Sequence, residues 1–194
     1  MPTLHDLLTM TAARHAHLCP RQVLGVRMGL LSAQHLQLDL PQSDKRLLTF
    51  VETDGCFSDG IAVATGCFVG RRTLRVTDYG KIAATFVDTH THRAVRLTPR
   101  SAARDLAARY APEAANSWEA YLYGYQRMPD AELLAVQEVQ LLATLESIIS
   151  TPEAKTLCAM CGEEIFNERE VVQNDLAICQ SCAGNRYYRV TRDV

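Results

Sequence analysis

The sequence predicts an α+β fold, with a body of helices packed on an antiparallel or mixed sheet and a small C-terminal unit built around cysteines. Three observations predict it. Strand-like segments cluster in the middle of the chain, and helix-like segments cluster on both sides of them. Four of the seven cysteines fall near the C-terminus. The 194 residues, 47% of them hydrophobic, fit one domain with a small appendage, which we place at residues 1–150 and 151–194.

Composition excludes several classes of protein. The 20 basic and 22 acidic residues give a formal net charge of -2, which argues against a dedicated nucleic-acid binder. No apolar run approaches the ~20 residues of a membrane-spanning helix. The N-terminus lacks the basic start and apolar core of a signal peptide, so we expect a cytoplasmic protein without a membrane partner. Disulfides are rare in that compartment, and clustered cysteines there indicate metal ligands or reactive thiols.

Helical spacing and one proline define the first part of the body. Leu4, Leu7 and Leu8 share one face of a helix. Pro20 fits the first turn of the next helix, which makes Cys19 its N-cap. In chain order, the predicted elements are a helix over 2–14, a helix from Pro20 to Leu36, a strand over 47–54, and a short helix that Ser58 caps and that ends near Gly66.

Strands and then helices follow in the second part of the body. Three short segments separated by turn residues predict strands over 73–80, 81–89 and 93–99. Three helices are then predicted from their start residues, over Ser101–Tyr110, Pro112–Arg127 and Asp130–Ile149. Residues 150–157 have the composition of a linker.

The C-terminal cysteines have the spacing C-x2-C-x17-C-x2-C. Cys158, Cys161, Cys179 and Cys182 can close a tetrahedral shell of thiolates, which predicts a structural zinc site without an open position. Residues 171–178 between the pairs predict a hairpin with Asn174-Asp175 as its turn, and residues 183–190 could start a short helix. This order is that of a treble-clef or zinc-ribbon finger. Four arginines against six acidic residues from position 158 onward favour packing or protein partners over DNA.

A second group of donors lies in the body. His15, His17 and Cys19 alternate, so in an extended segment all three would face one pocket. Cys19 and Cys56 each precede a predicted helix, where the helix dipole favours a thiolate and lowers the thiol pKa. Cys67 falls at the far end of the second of these helices. Thiolate and imidazole ligands suit zinc, iron, nickel or copper, although free cysteines, Cys67 above all, are often just buried small residues.

Two polar turns have an ordinary explanation beside a functional one. Asp78 and Lys81 could orient a substrate or ligand, or could be solvated charges of a turn at Gly80. His90 and His92 could be a weak metal pair, although hairpin turns collect polar residues anyway.

These motifs, in this order, resemble the FmdE family of formylmethanofuran dehydrogenase components. The resemblance covers nearly the whole chain and rests on these positions: H-x-H-x-C-P from His15 to Pro20, then Gly25, Arg27, Met28 and Gly29, Cys56 and Asp59, Thr65-Gly66-Cys67, Gly70, Asp78-Tyr79-Gly80-Lys81, and Pro129-Asp130. It implies an α+β core with an auxiliary treble clef, a homodimer, and a metal or polar site at His17, Cys19 and Cys56. Asp59, Asp78 and Lys81 are implied as further polar pocket residues.

The resemblance also has departures and limits. Ala16 and Arg21 stand where the family usually has glycine, so Arg21 would place a cation at the pocket mouth and the ligand could differ. The family name implies a protein partner in a redox complex. The chain has no cysteine run for an iron–sulfur cluster and no evident pterin domain, so it would not perform the redox step alone. Whether it is an enzyme stays open.

Three functions remain at this point. The first is a metal-binding protein, accessory or stand-alone, with the structural zinc and a second transition metal in the core, zinc first, iron or nickel next. The core ligands would come from His15, His17, Cys19, Cys56 and Cys67. The second is a regulatory or interaction module whose finger binds a partner protein or nucleic acid. The third is a thiol enzyme with Cys19 as nucleophile and His17 or His15 as its base.

Overall fold

A computed structural model describes residues 2–15, 17–149 and 153–192. It divides the chain into two compact units, Met1–Leu141 and Leu142–Val194. The sequence places the boundary after residue 150, whereas the structure groups residues 142–149 with the C-terminal unit. Within the described residues, no helix is long and apolar enough to cross a membrane.

The N-terminal unit combines helices with one five-stranded sheet. Its helices are α1 (Leu4–Ala12), α2 (Pro20–Leu36), α3 (Cys56–Thr65), α4 (Ala103–Tyr110), α5 (Ser117–Arg127) and α6 (Asp130–Leu133), with a 3-10 turn at Val69–Arg71. Its strands are β1 (Leu47–Val51), β2 (Leu74–Val76), β3 (Ala84–Asp88), β4 (Ala94–Pro99) and β5 (Leu134–Glu138). The order is β2-β1-β3-β4-β5, with β1 and β2 parallel and the other pairs antiparallel. The mixed sheet packed by helices confirms the predicted fold class.

Helices α2 and α3 pack so closely that their glycines touch the facing backbone. A Cβ atom on Gly25 would lie 2.4 Å from the carbonyl oxygen of Phe57, and one on Gly60 would lie 2.4 Å from that of Gln22. Both distances are far below van der Waals contact. The two glycines therefore allow an approach of the helix axes that no other residue permits.

The ends of α1 and α2 follow from local sequence. Thr3 and Asp6 form a capping box at the start of α1. Pro20 begins α2 and Cys19 is its N-cap, as predicted. The buried Gln22 side chain accepts from the Cys19 backbone N–H (2.8 Å) and donates to the carbonyl of Thr11 (3.2 Å). This amide fixes the start of α2 against the end of α1.

Three of the predicted element boundaries are wrong. The helix expected over 130–149 is instead the short α6, the strand β5, and a separate helix α7 at Leu145–Ile149. The apolar run around Leu134 fits either a strand or a helix, and pairing with β4 decides for the strand. Gly55, not Ser58, is the N-cap of α3. Helix α5 begins at Ser117, because the Asn116 side chain caps it.

A buried arginine ties α2 to the end of α5. Arg27 is 9% exposed and donates to the carbonyl oxygens of Tyr125 (2.6 Å) and Met128 (2.7 Å) and to the carboxylate of Asp130 (2.7 Å). Carbonyls at a helix C-terminus have no partner within the helix, and a guanidinium satisfies several at once. This contact accounts for Arg27 and Asp130 in the sequence pattern without a catalytic role.

A buried carboxylate anchors the β3–β4 turn and gives a prediction for pH dependence. Asp88 is fully buried and accepts two bonds from Arg46 (2.7 and 2.9 Å), one from the Thr91 hydroxyl and one from the His90 N–H. The Arg46 guanidinium holds the pKa of Asp88 well below its ordinary value. Stability from Asp88 is thus present above the unfolded pKa of about 4 and is lost as the pH falls below it.

We expect Asp88→Asn to destabilise the N-terminal unit by roughly 3 kcal/mol at pH 7, because Arg46 loses a buried partner. Urea unfolding at several pH values measures it. The difference from wild type should shrink as the pH falls below about 4, where the wild-type contribution is itself lost. A difference that is constant down to the lowest accessible pH would contradict the assignment.

The C-terminal unit consists of α7 and two small hairpins. Strand β6 (Lys155–Leu157) pairs with β7 (Glu164–Phe166), and β8 (Val171–Gln173) pairs with β9 (Leu176–Ile178). The predicted hairpin over 171–178 is confirmed, with Asn174 and Asp175 both at positive φ in its turn. Two predictions are wrong: the linker over 150–157 ends in β6, and the segment from residue 183 forms a turn rather than a helix.

Candidate functional site

The four C-terminal cysteines converge on one point. Their sulfur atoms all lie within 4.8 Å of one another, and the Sγ atoms of Cys161 and Cys179 are 3.9 Å apart. A tetrahedral zinc site with Zn–S distances of about 2.3 Å has its sulfurs about 3.8 Å apart. The observed spacing therefore fits such an ion, and the cluster could hold a metal.

Backbone turns of the two C-x-x-C pairs orient these thiols. The N–H groups of Cys161 and Cys179 lower the pKa of Cys158 to about 6. The neighbouring Cys179 thiol, together with burial, raises the pKa of Cys182 to about 12. Four sulfurs this close repel one another as thiolates, and a divalent cation at their centre removes that repulsion. Cys158 packs with Ile165 and Ile178 in the small core of this unit.

Cys19 and Cys56 come together at the starts of α2 and α3. Cys19 is the N-cap of α2 and is 9% exposed; Cys56 is the first residue of α3 and is half-buried. Their thiols are close enough to interact. Burial raises the pKa of Cys19, and the Cys56 thiol raises it further, whereas the Gln22 N–H opposes them. The prediction of a lowered Cys19 pKa is therefore wrong, because burial outweighs the helix terminus.

The histidines of the H-x-H-x-C-P motif do not join this thiol pair. His15 lies in a turn after α1, not in an extended segment, and its Nε2 is 2.5 Å from a carboxylate oxygen of Asp59. His17 is exposed and is not among the residues that line the neighbouring cavity. The predicted alternation of three donors toward one pocket is therefore wrong. Without a histidine at Cys19, a thiol enzyme of the Cys–His type loses its base.

The third cysteine of the body lies elsewhere. Cys67 is 2% exposed just beyond the C-terminal end of α3, whose ten residues span about 15 Å. Its sulfur lies 3.3 Å from the carbonyl of Leu47 and 3.5 Å from the hydroxyl of Thr49. Cys67 is thus a core residue packed against β1, at the end of α3 away from Cys56. In the part of the chain that the structure describes, groups of three or more metal-type ligands occur only at the four C-terminal cysteines.

The polar turns serve mainly as turns. The Asp78 carboxylate accepts from the Gly80 N–H at 2.9 Å, which closes the turn at positive φ. Lys81 lines the cavity beside Cys19 and Cys56, with its ammonium 5.8 Å from the ring centroid of Tyr79. His90 and His92 are exposed in the turn after β3. Of the predicted polar residues, only Lys81 faces the cavity.

A cavity of about 920 Å³ opens beside the thiol pair. It lies within the N-terminal unit, between the start of α2, the sheet, and helices α4 and α5. Five cations line it: Arg21, Lys81, Arg96, Arg100 and Arg104. Trp118, Tyr121 and Tyr125 form an aromatic wall on α5. No acidic side chain is among its described lining residues.

The sequence pattern indicated the cysteines, Arg21 and Lys81 but not the rest of this wall. Two signals were available. Trp118, Tyr121 and Tyr125 have the i, i+3, i+7 spacing of one helix face, and Arg100 and Arg104 are four residues apart at the start of α4. Neither signal says that the two helices face each other across one cavity.

Comparisons with known proteins agree with this architecture. A curated relative from Archaeoglobus fulgidus, named as a probable S-adenosyl-L-methionine-binding protein, is 26% identical over 98% of this chain. The chain spans only 56% of that protein's length. A solved structure of an FmdE-like protein of tungsten formylmethanofuran dehydrogenase, from Syntrophus aciditrophicus, shares the fold. Its TM-score is 0.62 at 19% identity, with 97% of this chain and 96% of that chain covered.

The family described as "FmdE, Molybdenum formylmethanofuran dehydrogenase operon" matches residues 14–156. That range contains α2, α3, the whole sheet, the thiol pair and the cavity. The match covers well over half of the chain and runs through the motifs on which the resemblance rests. The chain belongs to the FmdE family.

Proposed function

We propose that this chain is a metal-binding protein with two sites of different kinds. The C-terminal unit would hold one zinc ion in a closed shell of four thiolates, as the treble-clef finger of the protein. The N-terminal unit would hold a second, soft transition-metal ion at Cys19 and Cys56, with zinc as the first candidate. The observation that carries the proposal is the convergence of cysteine sulfurs in both places.

The four-cysteine cluster supports the structural role of the first ion. Four thiolates leave no coordination position for water or substrate, so the ion would stabilise rather than catalyse. The core of this unit consists of Cys158, Ile165 and Ile178 with a few partly buried neighbours, which is too small to fold well alone. A metal ion would supply the missing stability.

The thiol pair supports an open second site. Two sulfurs at adjacent helix N-termini suit a soft cation, and they suit neither magnesium nor calcium. The ion would face the cavity, so its remaining positions could take water, a bound ligand, or His17, which lies two residues before Cys19. The pairing of His15 with Asp59 and the burial of Cys67 against β1 argue against those two residues as further ligands.

The name of the Archaeoglobus relative does not extend to this chain. S-adenosyl-L-methionine carries a sulfonium and an ammonium group, which acidic side chains would stabilise. The cavity lining has five cations and, among its described residues, no carboxylate. Metal binding is therefore the better supported function.

Elemental analysis of the purified full chain tests the proposal. We expect about two metal ions per chain, since each of the two sites would hold one. Cys19→Ser and Cys56→Ser should each lower the content by about one ion, because the thiolates are the ligands. Cys67→Ser is the matched control, a cysteine of the same unit that contacts β1 instead, and it should keep both ions. A wild-type content of one ion that Cys158→Ser abolishes would refute the second site.

A further inference from the structure

The cavity of the N-terminal unit has a charge pattern that the rest of the chain does not share. The whole chain is slightly acidic, with 22 acidic and 20 basic residues. The cavity lining nevertheless contains five basic residues and, within the described part of the chain, no acidic one. A cation-lined concave site concentrates anions, because its low-dielectric walls focus the field.

Two of the five cations have partners of their own. Arg96 is committed to Glu52, with two hydrogen bonds of 2.6 and 2.8 Å. Arg100 donates from its Nε to the carbonyl of Leu134 at 3.1 Å, a neutral partner that leaves its charge uncompensated. Arg96 is therefore a fixed part of the wall, and Arg100 can still bind an anion.

The other three cations carry the free charge of the cavity. Arg21, Lys81 and Arg104 form no ion pair with any residue that the structure describes. Arg104 interacts with the Tyr125 hydroxyl, which is neutral and leaves the guanidinium charge in place. Guanidinium groups bind phosphates and carboxylates in pairs of hydrogen bonds, so these side chains are suited to an anionic ligand.

One wall of the same cavity offers flat rings. Trp118, Tyr121 and Tyr125 lie on one face of α5, and the rings of Tyr121 and Tyr125 stack 5.7 Å apart at an interplanar angle of 10°. Trp118 lines the cavity and keeps 48% of its surface exposed, so its ring is open to a planar partner. An exposed indole stacks well on an aromatic or heteroaromatic ring.

We propose that this cavity binds a small polyanionic molecule that carries a planar ring, with the anion held by Arg21, Arg100 and Arg104 and the ring against Trp118. The volume of about 920 Å³ is that of a small-molecule site. The anionic groups are phosphates or carboxylates, which share the same guanidinium chemistry. Cys19 and Cys56 line the same cavity, so the bound molecule would lie beside the proposed metal site.

Tryptophan fluorescence tests this directly, because Trp118 is the only tryptophan of the chain. The probes are ATP, adenosine, inorganic tripolyphosphate and benzene-1,3,5-tricarboxylate. We expect ATP or the tricarboxylate to quench Trp118 saturably, with adenosine binding at least about tenfold more weakly than ATP. A preference for ATP would identify phosphate as the anion, and a preference for the tricarboxylate would identify carboxylate. Binding should weaken with added salt.

Variants separate the cavity from the rest of the surface. Arg100→Ala and Arg104→Ala should each weaken binding of the preferred probe roughly tenfold, because each removes a charge-assisted contact. Arg109→Ala is the matched control, an exposed arginine of the same helix α4 that does not line the cavity, and it should leave binding unchanged. A double Cys19→Ser, Cys56→Ser variant should still quench, so this result stands apart from that of the metal proposal.

Several outcomes would overturn the inference. They are the absence of quenching by both polyanionic aromatic probes at millimolar concentration, equal affinity for ATP and adenosine, and equal loss in the Arg104 and Arg109 variants. Tighter binding of a single-stranded oligonucleotide than of ATP would also overturn it, because the cavity would then be part of a nucleic-acid surface.

Discussion

Cys158→Ser should release one metal ion and unfold the C-terminal unit while the N-terminal unit stays folded. Cys158 is the buried member of the cysteine cluster and packs directly on Ile165 and Ile178. Large apolar side chains elsewhere in this unit are exposed, among them Leu157, Met160, Phe166, Val172 and Leu176. Hydrophobic burial therefore contributes little, and a structural zinc ion contributes roughly 10 kcal/mol or more to such small units at neutral pH.

Backbone amide exchange measured by NMR, together with metal content, checks this result. We expect amides of β6 to β9 to lose protection in the variant and in wild type treated with a strong chelator. The amides of β1 and β3 should keep theirs, because the core of the N-terminal unit does not include Cys158. Met160→Ala is the control within the same C-x-x-C turn: its side chain is 67% exposed and is not a ligand. Protected hairpins in Cys158→Ser would contradict a structural role for the ion.

Local features of the sequence predicted what depends on local geometry. A C-x-x-C pair places two thiols on one turn whatever the rest of the chain does, so the convergence of Cys158, Cys161, Cys179 and Cys182 followed from spacing alone. The cap of α2 was predicted for the same reason, because Pro20 fixes the first turn of the helix. The hairpin turn at Asn174-Asp175 followed from residues that tolerate positive φ.

Features that need a distant partner were not predictable in this way. The run around Leu134 has no periodicity that separates a strand from a helix, and the open edge of β4 made it a strand. His15 turned toward Asp59, which is 44 residues away in sequence, instead of toward Cys19. The cavity joins arginines before and in α4 with aromatic residues of α5, and no single segment contains that pattern.

The largest effect on the N-terminal unit is expected from Gly60→Ala. In most helices this change adds roughly 1 kcal/mol of stability, because alanine favours the helix more than glycine does. Here the new Cβ would lie 2.4 Å from the carbonyl of Gln22 and 3.1 Å from the backbone nitrogen of Val26. Backbone cannot move aside as a flexible side chain does, so α2 and α3 must separate. We expect a net loss of roughly 3 kcal/mol or more, which lowers the melting temperature by about 6 to 12 °C.

The same variant also tests how the thiol pair is positioned. Gly60 lies one turn after Cys56, and the facing Gln22 lies one turn after Cys19, so separating the helices separates the two sulfurs. The affinity of the proposed second metal site should fall in Gly60→Ala while the C-terminal ion is retained. Gly70→Ala is the control, since a Cβ there meets no atom within 4 Å, and its stability should stay within about 0.5 kcal/mol of wild type. A Gly60→Ala protein that melts like wild type would show that the close approach of α2 and α3 does not hold Cys19 and Cys56 together.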